Sequence, residues 1–417
     1  MTAPRRVRHA ILILTSLLYA FSYFQRVAVP GTIFNELQTE FRLSASAVAG
    51  LGTAVLYLYG GMQFVIGLLV DRLGAGRMLT AGGLLLTAGS IFFPFALSPF
   101  WLFFCRLLVG LGASALYLGL VKEISEIFSE SDFPFYLGIA LFIGYGGGLL
   151  ATLPLERLSA AFGWRNALFS AGLAAGLVSI LAVAVLDRTG RLVHDSSRPE
   201  MRESLVRAFR TPAIWPLAFC GAINFSLYFL LQASIGKKFL EDFVRLGPAR
   251  AAAFTLGMMV VMMLLAFSWG WVARRLARRR PLIVTATSLT LAAVLLLFLG
   301  VCWSRPAGWF LAAYLMLAAG SSMATVFSTA FKEMAPADGA ASAVGIGNGT
   351  AYLGVALVAT LAALIMDAFR SQAAYTERAV LYPPAAYLSV FGFCLLLALV
   401  SWLVSWRVRE TGPAGGG

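Results

Sequence analysis

Charge is what this sequence has least of. Charged residues make up 12% of the 417 residues, where soluble domains carry about 25%. Hydrophobic residues make up 60%. That balance excludes an ordinary soluble domain and leaves a chain built from membrane-crossing helices. Acids are scarcer still, 19 against 32 basic residues. None falls in the middle of an apolar run, so a cavity that holds a cation on a central carboxylate is excluded. The only two histidines, His9 and His194, lie outside the runs, which disfavours a histidine proton relay. Cys105, Cys220, Cys302 and Cys394 lie in or at the edges of the runs with no metal or disulfide spacing and read as free thiols. No HExxH, GxSxG or Cys–His pair is present, so neither an enzyme nor a bound cofactor or metal is expected. A net charge of +13 does not by itself imply nucleic acid. What matters is where the bases lie relative to the bilayer.

What is there is a series of apolar runs long enough to cross a bilayer, which takes about 20 residues. They fall near 10–33, 46–70, 77–97, 101–124, 134–155, 165–186, 213–235, 250–273, 282–303, 308–331, 341–367 and 385–407. The first follows Arg5, Arg6 and Arg8, runs past signal-peptide length without a small-residue cleavage site, and reads as a span. An even count puts both termini on one side. Arg72, Arg77, the arginines of 187–212 and 274–280, Arg407 and Arg409 share that side and outnumber the bases of the opposite loops. Both termini are therefore expected in the cytoplasm, with the protein in the inner membrane. The fold class is all-α and polytopic, with twelve transmembrane helices in two pseudo-symmetric six-helix bundles, 1–186 and 213–410. Between them, 187–212 reads as a linker. Ser197, Pro199 and Glu200 have capping-box spacing there, and Leu205, Val206 and Phe209 share a face, as in a surface amphipathic helix. Residues 411–417 read as a disordered tail.

The stretch Gly67-Leu-Leu-Val-Asp71-Arg72-Leu-Gly74-Ala-Gly-Arg77 joins two spans. An acid at a helix C-terminus opposes the macrodipole, so Asp71 calls for a basic partner. Gly74 suits the left-handed turn that ends a helix. A second copy starts at Gly270, with Arg275 answering to Arg72 and Arg274 standing where the acid would be. The spans ending in Lys122-Glu123 and Lys332-Glu333 repeat too, after Gly110 and Gly320. Such half-chain repeats mark transporters built from two related bundles. On these residues the sequence resembles the major facilitator superfamily, whose loop between helices 2 and 3 reads Gly-x-x-x-Asp-Arg-x-Gly-x-basic-basic. Gly76 takes one of the usual basic places.

Candidate function gathers on a few polar groups. Arg26 lies inside span 1, where a guanidinium needs an anion or a water-filled cavity. Organic-anion members of the family often carry an arginine at a similar place, so the resemblance implies substrate contact, with Tyr23 beside it. Arg106, followed by Gly110 and Gly112, is similar to the family's helix-4 motif; a bond to the helix-1 backbone is at least as expected as substrate contact. Tyr117 and Asn348 are further cavity candidates. Asn224, Tyr228 and Gln232 recur four apart and share one face, as substrate contacts or as interhelical glue. Gly67, Asp71, Arg72, Gly74, Arg77, Glu123, Arg275 and Glu333 read as a cytoplasmic gate, with Glu333 a possible partner for the second copy's arginines. Glu123 and Asp367 are proton-coupling candidates.

The expectation is a secondary transporter of a small organic anion, a carboxylate or phosphate ester. It would act by alternating access, with proton symport, as a monomer in the lipid bilayer and without a nucleic-acid partner. The alternatives are an exporter of lipophilic compounds, which the resemblance disfavours because the family's exporters usually carry a Gly-Pro motif in helix 5 and Gly146-Gly147-Gly148 has no adjoining proline, and a sensor that kept the fold without transport.

Overall fold

A computed structural model describes residues 4–129, 132–192, 210–275, 278–334, 340–376 and 379–411. The expected linker helix and the 412–417 tail lie outside them, as do the side chains of Asp71 and Arg275. In chain order the helices are α1 (Arg5–Val27), α2 (Phe34–Glu40), α3 (Ala45–Leu73), α4 (Ala75–Phe92), α5 (Pro99–Ile127), α6 (Phe133–Leu150), α7 (Leu153–Phe162) and α8 (Trp164–Arg188). They continue as α9 (Ile214–Ala233), α10 (Gly236–Asp242), α11 (Pro248–Arg275), α12 (Arg280–Cys302), α13 (Ala307–Ser321), α14 (Ala324–Met334), α15 (Ala340–Asp367) and α16 (Pro384–Ser405). A two-stranded hairpin, β1 (Ala374–Tyr375) and β2 (Val380–Leu381), precedes α16. Among the described residues, eleven helical stretches are long and apolar enough to span, and twelve if the bent pair α6–α7 counts as one. The expected tenth span is not one straight helix, for it breaks between α13 and α14.

Contacts gather the chain into two compact units, Met1–Val29 with Ala54–Pro199, and Pro30–Thr53 with Glu200–Gly417. The sequence boundaries place 30–53 in the first bundle. These residues group with the second unit, where Lys237 donates to Thr32 O, Lys238 to Asn35 Oδ1, and Asp367 accepts from the N–H of Ala45.

The two units repeat one packing scheme. In the first, α1 packs on α6, and α4 on α5 and α8. In the second, α9 packs on α15, and α12 on α13 and α16. Lipid offers helices no hydrophobic reason to associate, so close backbone approach carries much of the packing. The glycine run of α6 shows it. A Cβ on Gly147 would meet the backbone of Ala20, and one on Gly144 the ring of Tyr19, while Gly146 faces open space. Gly147→Leu is therefore expected to remove most of the monodisperse protein on gel filtration, and Gly146→Ala to leave it unchanged. Gly74, at φ 86°, makes the left-handed turn expected of it between α3 and α4.

Candidate functional site

Span 1 does not run straight. After α1 the backbone breaks over Ala28–Thr32, with Val29 extended at φ −123° and ψ 115°. Pro30 removes a backbone donor there, and the residue before a proline is pushed out of the helical region. The break frees carbonyls at the end of α1, and Arg106 takes two of them. Its Nη1 donates to Gln25 O at 3.1 Å and its Nη2 to Val29 O at 3.1 Å, with Gln25 Oε1 at 3.4 Å. Arg106 is fully buried. Of the two roles expected for it, the backbone one is what its geometry fills.

Arg26 stands in the turn that Arg106 holds. Its side chain is 2% exposed. Nε donates to Ser22 O at 3.3 Å, and the guanidinium carbon lies 4.7 Å from the Tyr23 ring centre, 4.8 Å from Tyr59 and 5.7 Å from Tyr19. Tyr117 extends this aromatic box against Tyr19 at 5.5 Å, and Tyr145 packs edge-on to Tyr23 at 5.4 Å. The ring faces are electron-rich and stabilise a cation by about 0.5–2 kcal/mol each, with no formal negative charge.

Arg26, Tyr23, Arg106 and Tyr117 thus come together in the first unit. Tyr59 joins them although the sequence reading passes over it. Tyr57 and Tyr59 look alike in the α3 run, and only helix phase separates them, Tyr57 at 41% exposure and Tyr59 at 1%. In the second unit the stripe on α9 divides. Asn224 is interhelical glue: its Nδ2 donates to Gly320 O at 3.1 Å, its Oδ1 accepts from Thr290, and its carbonyl accepts from Ser321 Oγ at 2.9 Å. Tyr228 donates to Met259 Sδ at 3.2 Å. The Gln232 amide is buried, and neither of its polar atoms has a hydrogen-bond partner among the described residues. Asn348 is half-buried on α15.

Of the residues expected at a gate, Arg77 and Glu123 in the first unit and Glu333 in the second find polar partners. In the first, the chain leaving α8 crosses the start of α4. Arg191 O sits where a Cβ of Gly76 would be, which accounts for glycine in place of a basic residue. Arg77 Nε donates to Leu192 O at 2.6 Å. Arg191 Nε pairs with Glu123 Oε1 at 2.8 Å, and its other end with Glu126. Burial pulls the Arg191 charge down, but the hydrogen bond and charge of Glu123, then Glu126, raise its pKa overall. Arg72 is exposed, and Gly67 is half-buried on α3. In the second unit Arg279 Nη2 pairs with Glu333 Oε1 at 3.0 Å. Glu410, in the chain leaving α16, accepts from the N–H groups of Arg279 and Arg280 at 2.5 and 3.2 Å. Glu333 thus finds a basic partner in the second loop, and it is Arg279.

Asp367 sits at the other end of its helix from Asn348. It caps α3, taking the N–H of Ala45 on Oδ1 at 2.7 Å and of Ser46 on Oδ2 at 3.0 Å.

The description Major Facilitator Superfamily matches residues 15–359, and the chain belongs to that family. It is a multi-pass membrane transporter and not an enzyme. Among curated proteins it is similar to a nitrite extrusion protein of Bacillus subtilis, 24% identical over 296 residues, 70% of this chain and 72% of that one. It is similar to mouse monocarboxylate transporter 11, 29% identical over 220 residues, 52% of this chain and 46% of the relative. A probable sulfoacetate transporter of Cupriavidus necator is 25% identical over 169 residues, 40% of this chain and 39% of the relative. The chain therefore spans under half the length of the last two. Among solved structures it superposes on a peptide transporter crystallised with sulfate, at TM-score 0.76 and 16% identity, covering 99% of this chain and 96% of that one. A bacterial homologue of the lysosomal transporter Spinster gives the same score and identity, with 97% and 98% covered. At that identity the likeness is one of fold.

Proposed function

We propose that the protein is a secondary transporter of a small organic anion across the inner membrane, with both termini cytoplasmic, working by alternating access as a monomer. The observation that carries this is Arg26, a buried cation faced by the rings of Tyr19, Tyr23 and Tyr59. A buried guanidinium presents planar donors that suit an acid group, and the tyrosine rings hold it in place. Relatives named for nitrite, sulfoacetate and monocarboxylates support an anion. They move the weight from phosphate esters toward carboxylates and sulfonates. Arg26 binds the acid group, and Tyr23 and Tyr59 fix the guanidinium. Arg106 and Asn224 position backbone and helices.

Coupling is to protons. Of the two marked acids, Glu123 is the better carrier: its Oε2 is buried without a hydrogen-bond partner among the described residues, whereas both oxygens of Asp367 cap α3. The bundles 1–186 and 213–410, joined by 187–212, are the bodies that rock. Purified protein in sealed liposomes, offered labelled lactate, sulfoacetate and nitrite, should accumulate at least one of them. Accumulation should fall when a protonophore collapses an imposed pH gradient. Binding that stops at one ligand per protein would replace transport with sensing.

Tyr59 gives a sharper check on the site. Tyr59→Phe keeps the ring and is expected to hold the anion affinity within about twofold. Tyr59→Leu removes a cation–π face worth about 1–2 kcal/mol and should weaken binding by about five- to thirtyfold, read as KM in the same liposomes.

A further inference from the structure

Two uncharged polar side chains continue the aromatic box around Arg26. Ser22 stands one turn before Arg26 on α1. It is fully buried, and its Oγ has no hydrogen-bond partner among the described residues. Buried hydroxyls elsewhere in these helices turn back to a carbonyl four residues before them, as Thr15 does to Ile11 O and Ser90 to Leu86 O, both at 2.7 Å. Ser22 does not. Gln63 stands one turn after Tyr59 on α3, is 6% exposed, and its Nε2 also has no partner among the described residues. Tyr59 is the α3 residue whose ring faces Arg26, at 4.8 Å. As consecutive spans α1 and α3 run in opposite directions, so one turn back from Arg26 and one turn on from Tyr59 lead to the same level. Side chains on a helix lean toward its N-terminus. That lean carries the guanidinium back to Ser22 O, 3.3 Å from Nε, and over the Tyr19 ring at 5.7 Å. The same lean carries the Gln63 amide back toward Tyr59. From opposite ends, the guanidinium and the amide converge beside Ser22.

We propose, on the reading that Arg26 binds the acid group, that Gln63 and Ser22 are the second, uncharged half of the same site. They select an acid carrying a hydroxyl or carbonyl oxygen over the plain aliphatic acid of the same length. A buried amide donor and a buried hydroxyl without partners are costly in an apolar span, and a bound molecule that carries an oxygen there removes that cost. Gln63 Nε2 offers two N–H donors, and Ser22 offers one O–H that also accepts. A substrate hydroxyl accepts from Gln63 and donates to Ser22 Oγ, and a carbonyl oxygen accepts from both. A second carboxylate at this end would need a second cation, and neither residue supplies one, so a neutral oxygen is the match. A plain aliphatic acid would reach Arg26 but leave both polar groups dry and unpaired. Protein sites reject an analogue that lacks a hydroxyl in this way.

Calorimetric titration of the purified protein in detergent with propanoate, 2-hydroxypropanoate and 3-hydroxypropanoate tests this. At least one hydroxy acid is expected to bind about tenfold tighter than propanoate, or more. Gln63→Leu keeps the bulk and removes the amide, and should bring that ratio to within about twofold, chiefly by weakening the hydroxy acid. A purely structural Gln63 would weaken the three acids alike and keep the ratio. Ser22→Ala should lower the ratio by about threefold or more, and it decides if Gln63→Leu does not fold. A ratio that survives in the folded variants overturns the selectivity. So does equal binding of the three acids by the wild type; if that binding is lost in Arg26→Gln, the anion site itself still stands. Binding of none of the three by the wild type overturns the selectivity and counts against the anion site as well.

Discussion

Arg26→Gln is expected to abolish anion binding, with a loss of about a hundredfold or more, while the protein stays folded. Truncating one partner of a buried charged contact costs about 2–5 kcal/mol, and each 1.4 kcal/mol is tenfold in affinity. The guanidinium is 2% exposed, and its contacts include three tyrosine faces and one carbonyl. The rings that face it are uncharged, so the fold should survive the substitution. The measurement is a thermal-shift series with lactate, sulfoacetate and nitrite. A ligand that binds the native state raises its melting point by mass action. Stabilisation of the wild type by one of these anions, absent in Arg26→Gln, supports the site. Equal stabilisation of both proteins makes Arg26 structural and moves the anion elsewhere. Arg26→Lys separates charge from shape: an ammonium keeps the charge but not the planar two-pronged donor, and should recover only part of the affinity.

Arg106→Gln is expected to act on stability first. Its two guanidinium nitrogens satisfy carbonyls at the broken end of α1, and buried acceptors left without partners cost about 1–3 kcal/mol apiece. A loss on the order of 2–4 kcal/mol should appear as a lowered melting temperature without any ligand present. Anion affinity should weaken by about tenfold, because the turn carrying Arg26 loses its support, but it should not vanish. Arg106→Lys reaches at most part of that geometry and should fall between the two. Arg106→Gln with unchanged unliganded stability and abolished binding would make Arg106 a direct substrate contact instead.

The elements themselves were readable from spacing. Apolar runs of span length, the left-handed turn at Gly74 and the repeated loops need only local chemistry and the dielectric of a bilayer, both of which act along the chain. Arg26 was readable for the same reason: a charge in an apolar run is conspicuous wherever it points. Its surroundings were not. Tyr59 and Tyr57 differ only in the phase of α3, which packing fixes. The division of the α9 stripe was equally hidden, because Asn224 becomes glue only when Thr290 and Gly320 arrive from other helices. The partner of Glu123 turned out to be Arg191, far along the chain beyond α8, and no periodicity links them.

By itself, then, the sequence determined a polytopic helical transporter with two repeated halves and a buried cation on its first span. Those features follow from transfer energies and helix geometry, which are properties of each residue and its near neighbours. The tertiary structure alone decided that tyrosine faces lie against the cation, that Arg106 bonds to the backbone at the end of α1, and that Asp367 caps α3. These are distance relations between segments remote in sequence. They depend on which small residues let helices approach and which carbonyls a broken helix leaves to be satisfied.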